Sequence, residues 1–413
     1  MSNTVILGPG IIGLSIAYYL ADHQPGSTIH LVEPSPELFA SASGYAAGFL
    51  ARDWFPPASA ALGAVSFDEH RRLAAEHGGR DAWGWSTSTA YSHSAAPTRA
   101  HKGDDADWLR NGGSRAAVVE AVETLAAAAD DDDDGCPLWL RREHGDDLQK
   151  IGDSDTTGQV DPLRLCRFLL DQCRSAGVHL HHPAVVLSVN ADLRGDLASV
   201  RIGDTTSSTE SDVPCTRLVV AAGAWSPRVF ADLFPGASLE VPISSLAGHS
   251  LVVRPSKLKK APQPGCHAIF GADGAGFSPE LFSRVGGDIY VAGVNSSVPL
   301  PQLPGQTPVS AAAIAQLKGA TERLVDNGDA ELEVVRQGLC FRPVTASGTP
   351  ILTRVPDDRL GGISTRAGAE GGVFLAAGHG PWGISLSLGT GRVMAEMMQG
   401  RKLSADVSRL ALA

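Results

Sequence analysis

The chain opens on a short apolar run, Thr4 to Leu7, too short and too β-rich for a helix, and the pattern predicts a buried strand. Ile11 to Leu20 then carries apolar residues at helical spacing, and residues 28–32 predict the next strand. From 51 to about 155 the regular alternation is lost, and Trp, His, Gly and charge accumulate, which predicts an insertion. Alternation returns at "GQVDPLRLCRFLLDQCRSAGVHLHHPAVVLSV". There Asp161 suits an N-cap, Pro162 a first helical residue and Gly177 a C-terminal stop. The β-rich runs 178–181 and 184–189 fit a strand pair. "RLVVAAGAWSP", 217–227, is an apolar strand ending in small residues, where a backbone or ligand can come close. Residues 240–345 alternate β-like runs with Pro- and Gly-rich turns, and the tail from Val373 reads as strand, glycine-rich turn and helix.

Between the first strand and helix stand Gly8, Gly10 and Gly13, in the spacing G-x-G-x-x-G. Gly8 can make the tight turn, Gly10 can let the backbone approach a pyrophosphate, and Gly13 can let helix and strand pack closely. The helix N-terminus offers free N–H groups and a positive dipole end. Glu33 ends the second strand about 20 residues on, the position from which a carboxylate accepts hydrogen bonds from an adenosine ribose. A glycine triplet alone could be an ordinary tight turn; strand, glycines, helix, strand and acid in register point to a dinucleotide. Ile12 and Pro34 belong to the same expected site. The carboxylate disfavours a 2′-phosphate, so FAD or NAD is expected rather than NADP. The fold class expected is α/β. A Rossmann-type domain is assembled from discontinuous segments, 1–50, 156–239 and 346–413, beside a sheet-rich α+β substrate domain from 51–155 and 240–345.

At 413 residues the chain can build two domains with substantial cores. Hydrophobic residues at 43% and charged residues at 19% describe an ordinary globular protein. A net charge of −11 argues against a nucleic-acid-binding surface. "DDDDD", Asp130–Asp134, follows the alanine-rich 126–129 and reads as a solvated loop; contiguous like charges repel and do not make a metal cage. Six scattered cysteines, without C-x-x-C pairs or His clusters, argue against zinc and a disulfide framework, so no metal is expected. No apolar run approaches membrane-spanning length, and with a strand expected from Thr4 no signal peptide is expected. The C-terminal "ALA" is no peroxisomal address, and a cytoplasmic location is expected.

The pieces, in their order and spacing, resemble the D-amino-acid oxidase family of FAD enzymes, which includes glycine oxidase and sarcosine oxidase. The likeness rests on the opening glycine motif with Glu33, "SASGYAAGFL" (41–50), "VDP…LL" (160–170) and "VVAAGAWS" (219–226). It continues in "CFRPVTASGTPIL" (340–352) and "AAGHGPWGISLSLGTG" (376–391), and is weakest across 51–155. The resemblance implies FAD as cofactor. It implies that Ser41, Ser43, Ala47 and Gly48 line the pyrophosphate and flavin ring, and that the backbone of Val186 meets the adenine. Ala222, Gly223 and Trp225 would pass the cofactor at a strand end, and Gly378, His379, Gly380, Gly383 and Ile384 would form the turn reaching the isoalloxazine. A helix N-terminus there would stabilise the negative charge of reduced flavin.

Arg342 corresponds to the arginine that binds the substrate carboxylate in glycine and D-amino-acid oxidases, where a planar fork takes a carboxylate bidentately. By itself it could be a surface Arg beside a Pro turn. His379 could be a structural His and Trp382 plain core; the glycines around them make a catalytic His and a pocket wall the alternatives. Cys340 stands where sarcosine oxidase attaches FAD through a thioether, although glycine-oxidase-like relatives hold FAD without a bond. The chain also departs from the family. "GGDIYVAGV" lacks the lysine that assists oxygen reduction in sarcosine-type oxidases. Glu280 stands in "PELFSR", where glycine oxidase offers a Tyr to its substrate, and His249 falls on a strand matched to one facing the flavin. The function expected is hydride transfer from a C–N bond of an amine or amino acid to FAD, with oxygen as acceptor giving imine and hydrogen peroxide. A dehydrogenase of amines or 2-hydroxy acids, and a flavin-holding regulatory or trafficking protein, are the alternatives.

Overall fold

The computed structural model describes residues 2–94, 115, 136–256, 258, 265–272, 277–328 and 330–412. Asp130–Asp134 lie outside the described residues. Among the described residues the strands form three sheets. The first runs in the order Ile351–Val355, Gly372–Ala377, Arg217–Val220, Thr4–Leu7, Ile29–Val32 and His179–His181. Thr4–Leu7 is parallel to both neighbours and buried along its length, as the unbroken apolar run requires.

The runs 178–181 and 184–189 do not pair with each other. His179–His181 joins Ile29–Val32 in parallel at the sheet edge, whereas Ala184–Ala191 pairs antiparallel with Leu197–Asp204 in a three-stranded sheet. Pro183 lies between them and has no N–H with which to continue a ladder. Strand propensity marks both runs but does not say which partner each will find.

The nine-stranded sheet crosses the boundaries suggested by the sequence pattern. It takes Thr157–Gln159 from a segment expected in the nucleotide domain, and Phe49–Ala51 from across the expected end of another at residue 50. Conversely, helix Ala60–His77, from the expected insertion, packs on the C-terminal helix Gly383–Met398, with Leu62 and Phe67 sharing a core with Leu386 and Leu388. These pairings join residues seventy or more positions apart, and local periodicity carries no record of them.

Two close approaches aim the helices. A Cβ on Gly13 would lie 2.3 Å from the Gly8 carbonyl oxygen, so only glycine lets helix Ile11–Ala21 rest on its own turn. A Cβ on Gly391 would lie 2.5 Å from the Ser15 carbonyl carbon, so the same helix lies flush against Gly383–Met398. Both helices thereby present their N-terminal ends, at Gly10–Ile12 and Gly383–Ile384, to one cleft. Helix Pro162–Ser175 begins as its sequence predicts, with Asp161 accepting from the amides of Leu163 (3.0 Å) and Arg164 (3.2 Å).

Candidate active site

A cleft of about 320 Å³ opens between the six-stranded and nine-stranded sheets. Glu33, Pro34 and Val186 line one end, and Glu280, Tyr290 and Arg342 the other. Sequence-expected residues from five separate segments line it together: Gly8, Gly10, Ile12; Ser41, Ser43, Ala47, Gly48; Ala222, Gly223, Trp225; Cys340; and His379, Gly380, Gly383, Ile384. Gly13, Gly378 and Trp382 are not among the lining residues. Gly13 acts through packing, as above. Gly378 holds a backbone φ of +85° against Thr345, where a Cβ would come to 2.6 Å.

At the first end, Glu33 accepts a hydrogen bond from the Ser35 amide (2.8 Å), and burial pushes its carboxyl up to about 7. An acceptor short of donors is what ribose hydroxyls would satisfy. Next along the cleft, Gly8 at φ +90° turns tightly enough that a Cβ would lie 2.7 Å from the Ala222 Cα. Gly10 leaves space that a Cβ would close to 2.8 Å from Ser43 Oγ, and that hydroxyl accepts from the Ile11 amide (2.9 Å) at the helix N-terminus. Trp225 is buried and donates through Nε1 to the Pro301 carbonyl (3.0 Å), tying the strand end to the loop over the cleft.

The 41–48 segment is held from the nine-stranded sheet by arginines that sequence reading missed. Arg284 Nη2 donates to the carbonyls of Ala46 and Ala47 (3.0 Å each), and Arg336 Nη1 to that of Gly44 (3.0 Å). Ser41 Oγ accepts from the Phe341 amide (3.3 Å), and the Tyr290 hydroxyl donates to the Tyr45 carbonyl (3.0 Å). An arginine that donates to backbone from another sheet leaves no motif to read.

At the far end, Arg342 Nη1 donates to Asn295 Oδ1 (2.7 Å), and among the described residues no carboxylate pairs with its guanidinium. Cys340 is buried on the same strand, Glu333–Val344; burial pushes its thiol up, and Arg342 pulls it partly back. His379 is buried, its Nε2 lies 3.1 Å from Thr390 Oγ1, and burial lowers its pKa to about 3. It is therefore a neutral imidazole at physiological pH and brings dipole and shape rather than charge. Trp382 stands behind the wall: the Arg115 guanidinium lies 4.7 Å from its ring centroid, and Phe55 packs edge-on at 5.1 Å. Arg115 itself is buried in the cleft wall and pairs with Glu280 (Nε–Oε1 3.0 Å, Nη2–Oε2 3.1 Å), so Glu280 is no surface residue. Arg115 comes from the region where the sequence pattern is weakest, and nothing local singled it out. His249 is also buried, but its Nε2 accepts from the Ser310 amide (3.2 Å) beside helix Ala311–Leu324, and it does not line the cleft.

The acceptor at one end, the helix N-terminus and glycine turn beyond it, and the small residues along the walls fit FAD. The chain belongs to the family of FAD dependent oxidoreductases, DAO, whose model matches residues 3–397. A Schizosaccharomyces pombe protein, C1F5.03c, is 27% identical over 432 residues, covering 99% of this chain and 97% of that relative. Glycine oxidase of Geobacillus kaustophilus is 27% identical over 258 residues, 62% of this chain and 57% of the relative. The crystal structure of glycine oxidase from the same organism superposes with a TM-score of 0.70 at 22% identity, covering 100% of this chain and 98% of that one. Iminodiacetate oxidase from Chelativorans sp. BNC1 gives 0.68 at 18% identity, with 99% and 98% covered. The fold is thus that of the DAO flavoproteins and the cofactor is FAD. Among the described residues no group of His, Cys, Asp and Glu is placed to hold a metal, and no helix is long and apolar enough to cross a membrane.

If Glu33 meets the ribose, its raised carboxyl gives FAD binding a pH dependence. Hydroxyl donors favour the ionised carboxylate, so affinity is penalised while the free site holds its proton and rises as pH climbs through about 7. Fluorescence titration of apoprotein with FAD between pH 5.5 and 8.5 is expected to show this rise, and Glu33→Gln to flatten it and weaken binding above pH 7. A Glu33→Gln protein that matches the native affinity at every pH contradicts the ribose assignment.

Proposed function

We propose that this flavoprotein oxidises a C–N bond of an amine or amino acid, yielding an imine, with oxygen as acceptor taken to hydrogen peroxide. The observation that carries this reading is the Arg342 guanidinium at the end of the cofactor cleft, without a protein carboxylate among the described residues. A part-buried fork with donors to spare suits a carboxylate, and it fixes the orientation of whatever bears that carboxylate. Bound FAD supplies the two-electron acceptor. The chain supplies placement. Asn295 steadies the fork from two strands away, and neutral His379 adds no charge of its own to the cleft. The resemblance to glycine oxidase in sequence supports an amino-acid substrate. An electron acceptor other than oxygen is the second reading, favoured by one observation: among the described residues no lysine lines the cleft.

Anaerobic mixing of the yellow holoprotein with N-methyl and D-amino acids tests both readings. Bleaching by an amine class, then peroxide on readmitting air, is the expected result. Bleaching without peroxide favours the dehydrogenase, and no bleaching by any amine, or bleaching by 2-hydroxy acids alone, contradicts the proposal. Arg342→Leu is expected to raise the apparent constant for carboxylate-bearing substrates about ten- to a hundredfold, with little effect on amines lacking a carboxylate. Equal losses for both would assign Arg342 to the fold.

We further propose that FAD is held beside Cys340 without a covalent bond, because burial keeps the thiol protonated and so a weak nucleophile. Acid precipitation is expected to release all the FAD into the supernatant. A yellow pellet that turns colourless in Cys340→Ser would establish the thioether instead.

A further inference from the structure

At the far end of the cleft two guanidiniums, that of Arg342 on the nine-stranded sheet and that of Arg115 from outside it, stand with one carboxylate, Glu280. The strands explain how groups so distant in sequence meet. Glu280 lies opposite Ala292, and Ala292 opposite Ser250 on the next strand; residues directly opposite share a sheet face. Arg342 crosses toward them because Gly248, in the intervening strand, has no side chain. A Cβ at Gly248 would lie 2.0 Å from Arg342 Nη1. The guanidinium therefore lies across that strand and ends at Asn295, on the strand that pairs with the one carrying Glu280. Arg342 is near enough to lower the pKa of Arg115, while Glu280 raises it.

Arg115 spends its two contacts on separate oxygens of Glu280, and the Glu280 side chain keeps 13% of its surface accessible. A carboxylate oxygen has more than one lone pair, so each can still accept an N–H from a ligand in the cleft. Arg115 meanwhile cancels most of the charge that would make an isolated buried carboxylate costly. Two cations and one anion leave one positive charge at this end. A ligand carboxylate on Arg342 balances it and leaves Glu280 for hydrogen bonding. The Arg115 guanidinium is held in turn over the Trp382 ring, so the carboxylate is clamped from behind by a rigid partner.

We propose that Glu280, positioned by Arg115, accepts the N–H of the substrate while Arg342 holds its carboxylate, so that the cleft selects amino acids over amine-free carboxylic acids. This rests on the amine-oxidising reading above and adds to it the residue that recognises nitrogen. Glu280 touches the substrate; Arg115 is a positioning residue.

A pair of ligands that cannot be oxidised separates binding from turnover. In 2-aminoisobutyrate a methyl group replaces the Cα–H, and isobutyrate has the same branched carbon skeleton without the nitrogen. Both are titrated into FAD-loaded protein and followed by the flavin absorbance shift. The native protein is expected to bind 2-aminoisobutyrate more tightly than isobutyrate. Glu280→Gln is expected to lose about tenfold or more for 2-aminoisobutyrate while isobutyrate affinity stays within about twofold. The Arg115→Met/Glu280→Gln double variant strands no buried charge, and the same pattern is expected of it. Equal losses for the two ligands, or no change for either, overturn the proposal and leave the pair a structural one. A native protein that binds isobutyrate but not 2-aminoisobutyrate overturns the Glu280 assignment and leaves Arg342 as a carboxylate site. The separate failure of the amine-oxidation reading is a native holoprotein that no amine bleaches.

Discussion

Close backbone approach at three glycines is the constraint on which the site depends. Gly13 lets the first helix settle on the Gly8 carbonyl, Gly8 lets the turn meet Ala222, and Gly391 lets the C-terminal helix lie against Ser15. With a side chain at any of these points the helices would be pushed apart or off the sheet. The two helix N-termini would then no longer face one cleft. The parallel strands at the centre are buried along their lengths, so their position is fixed by packing rather than by solvent-facing contacts.

The second sheet is joined to the first through polar ties rather than apolar contact alone. Arg284 and Arg336 reach the carbonyls of 44–47, and Ser41 and Tyr45 take hydrogen bonds from Phe341 and Tyr290. The segment that walls the cofactor cleft is thus held from the sheet that carries Arg342, Cys340 and Glu280. The walls at both ends of the cleft are thereby tied into one frame, which is what oriented electron transfer requires.

The end of the cleft at Glu33 was legible because its pattern is local. Strand, glycines, helix and Glu33 lie within the first 33 residues, and each has a conformational reason that periodicity and glycine spacing reveal. The far end was legible only in part. Arg342 was singled out by family likeness and Glu280 by a departure from it, but the ion pair that holds Glu280 comes from Arg115, 165 positions away and outside any recognisable pattern. For Trp382 the flanking glycines left plain core and pocket wall as alternatives, and it is Arg115 that lies over its ring. The separation of 178–181 from 184–189 into different sheets was missed for a related reason: propensity reports that a segment will be extended and leaves its partner to tertiary structure.

The central claim is that the glycine turn and the cleft beyond it hold FAD, and Gly10 tests it most directly. Its missing side chain leaves the space beside Ser43 Oγ and the helix N-terminus, so a Leu there would occupy the phosphate path without entering a strand or the packed helix face. The measurement is FAD released per folded chain after gel filtration, compared between native protein and Gly10→Leu, with circular dichroism to confirm folding. The account predicts near-stoichiometric FAD in the native protein and a folded, colourless variant. A folded Gly10→Leu protein that keeps its full complement of FAD would contradict it.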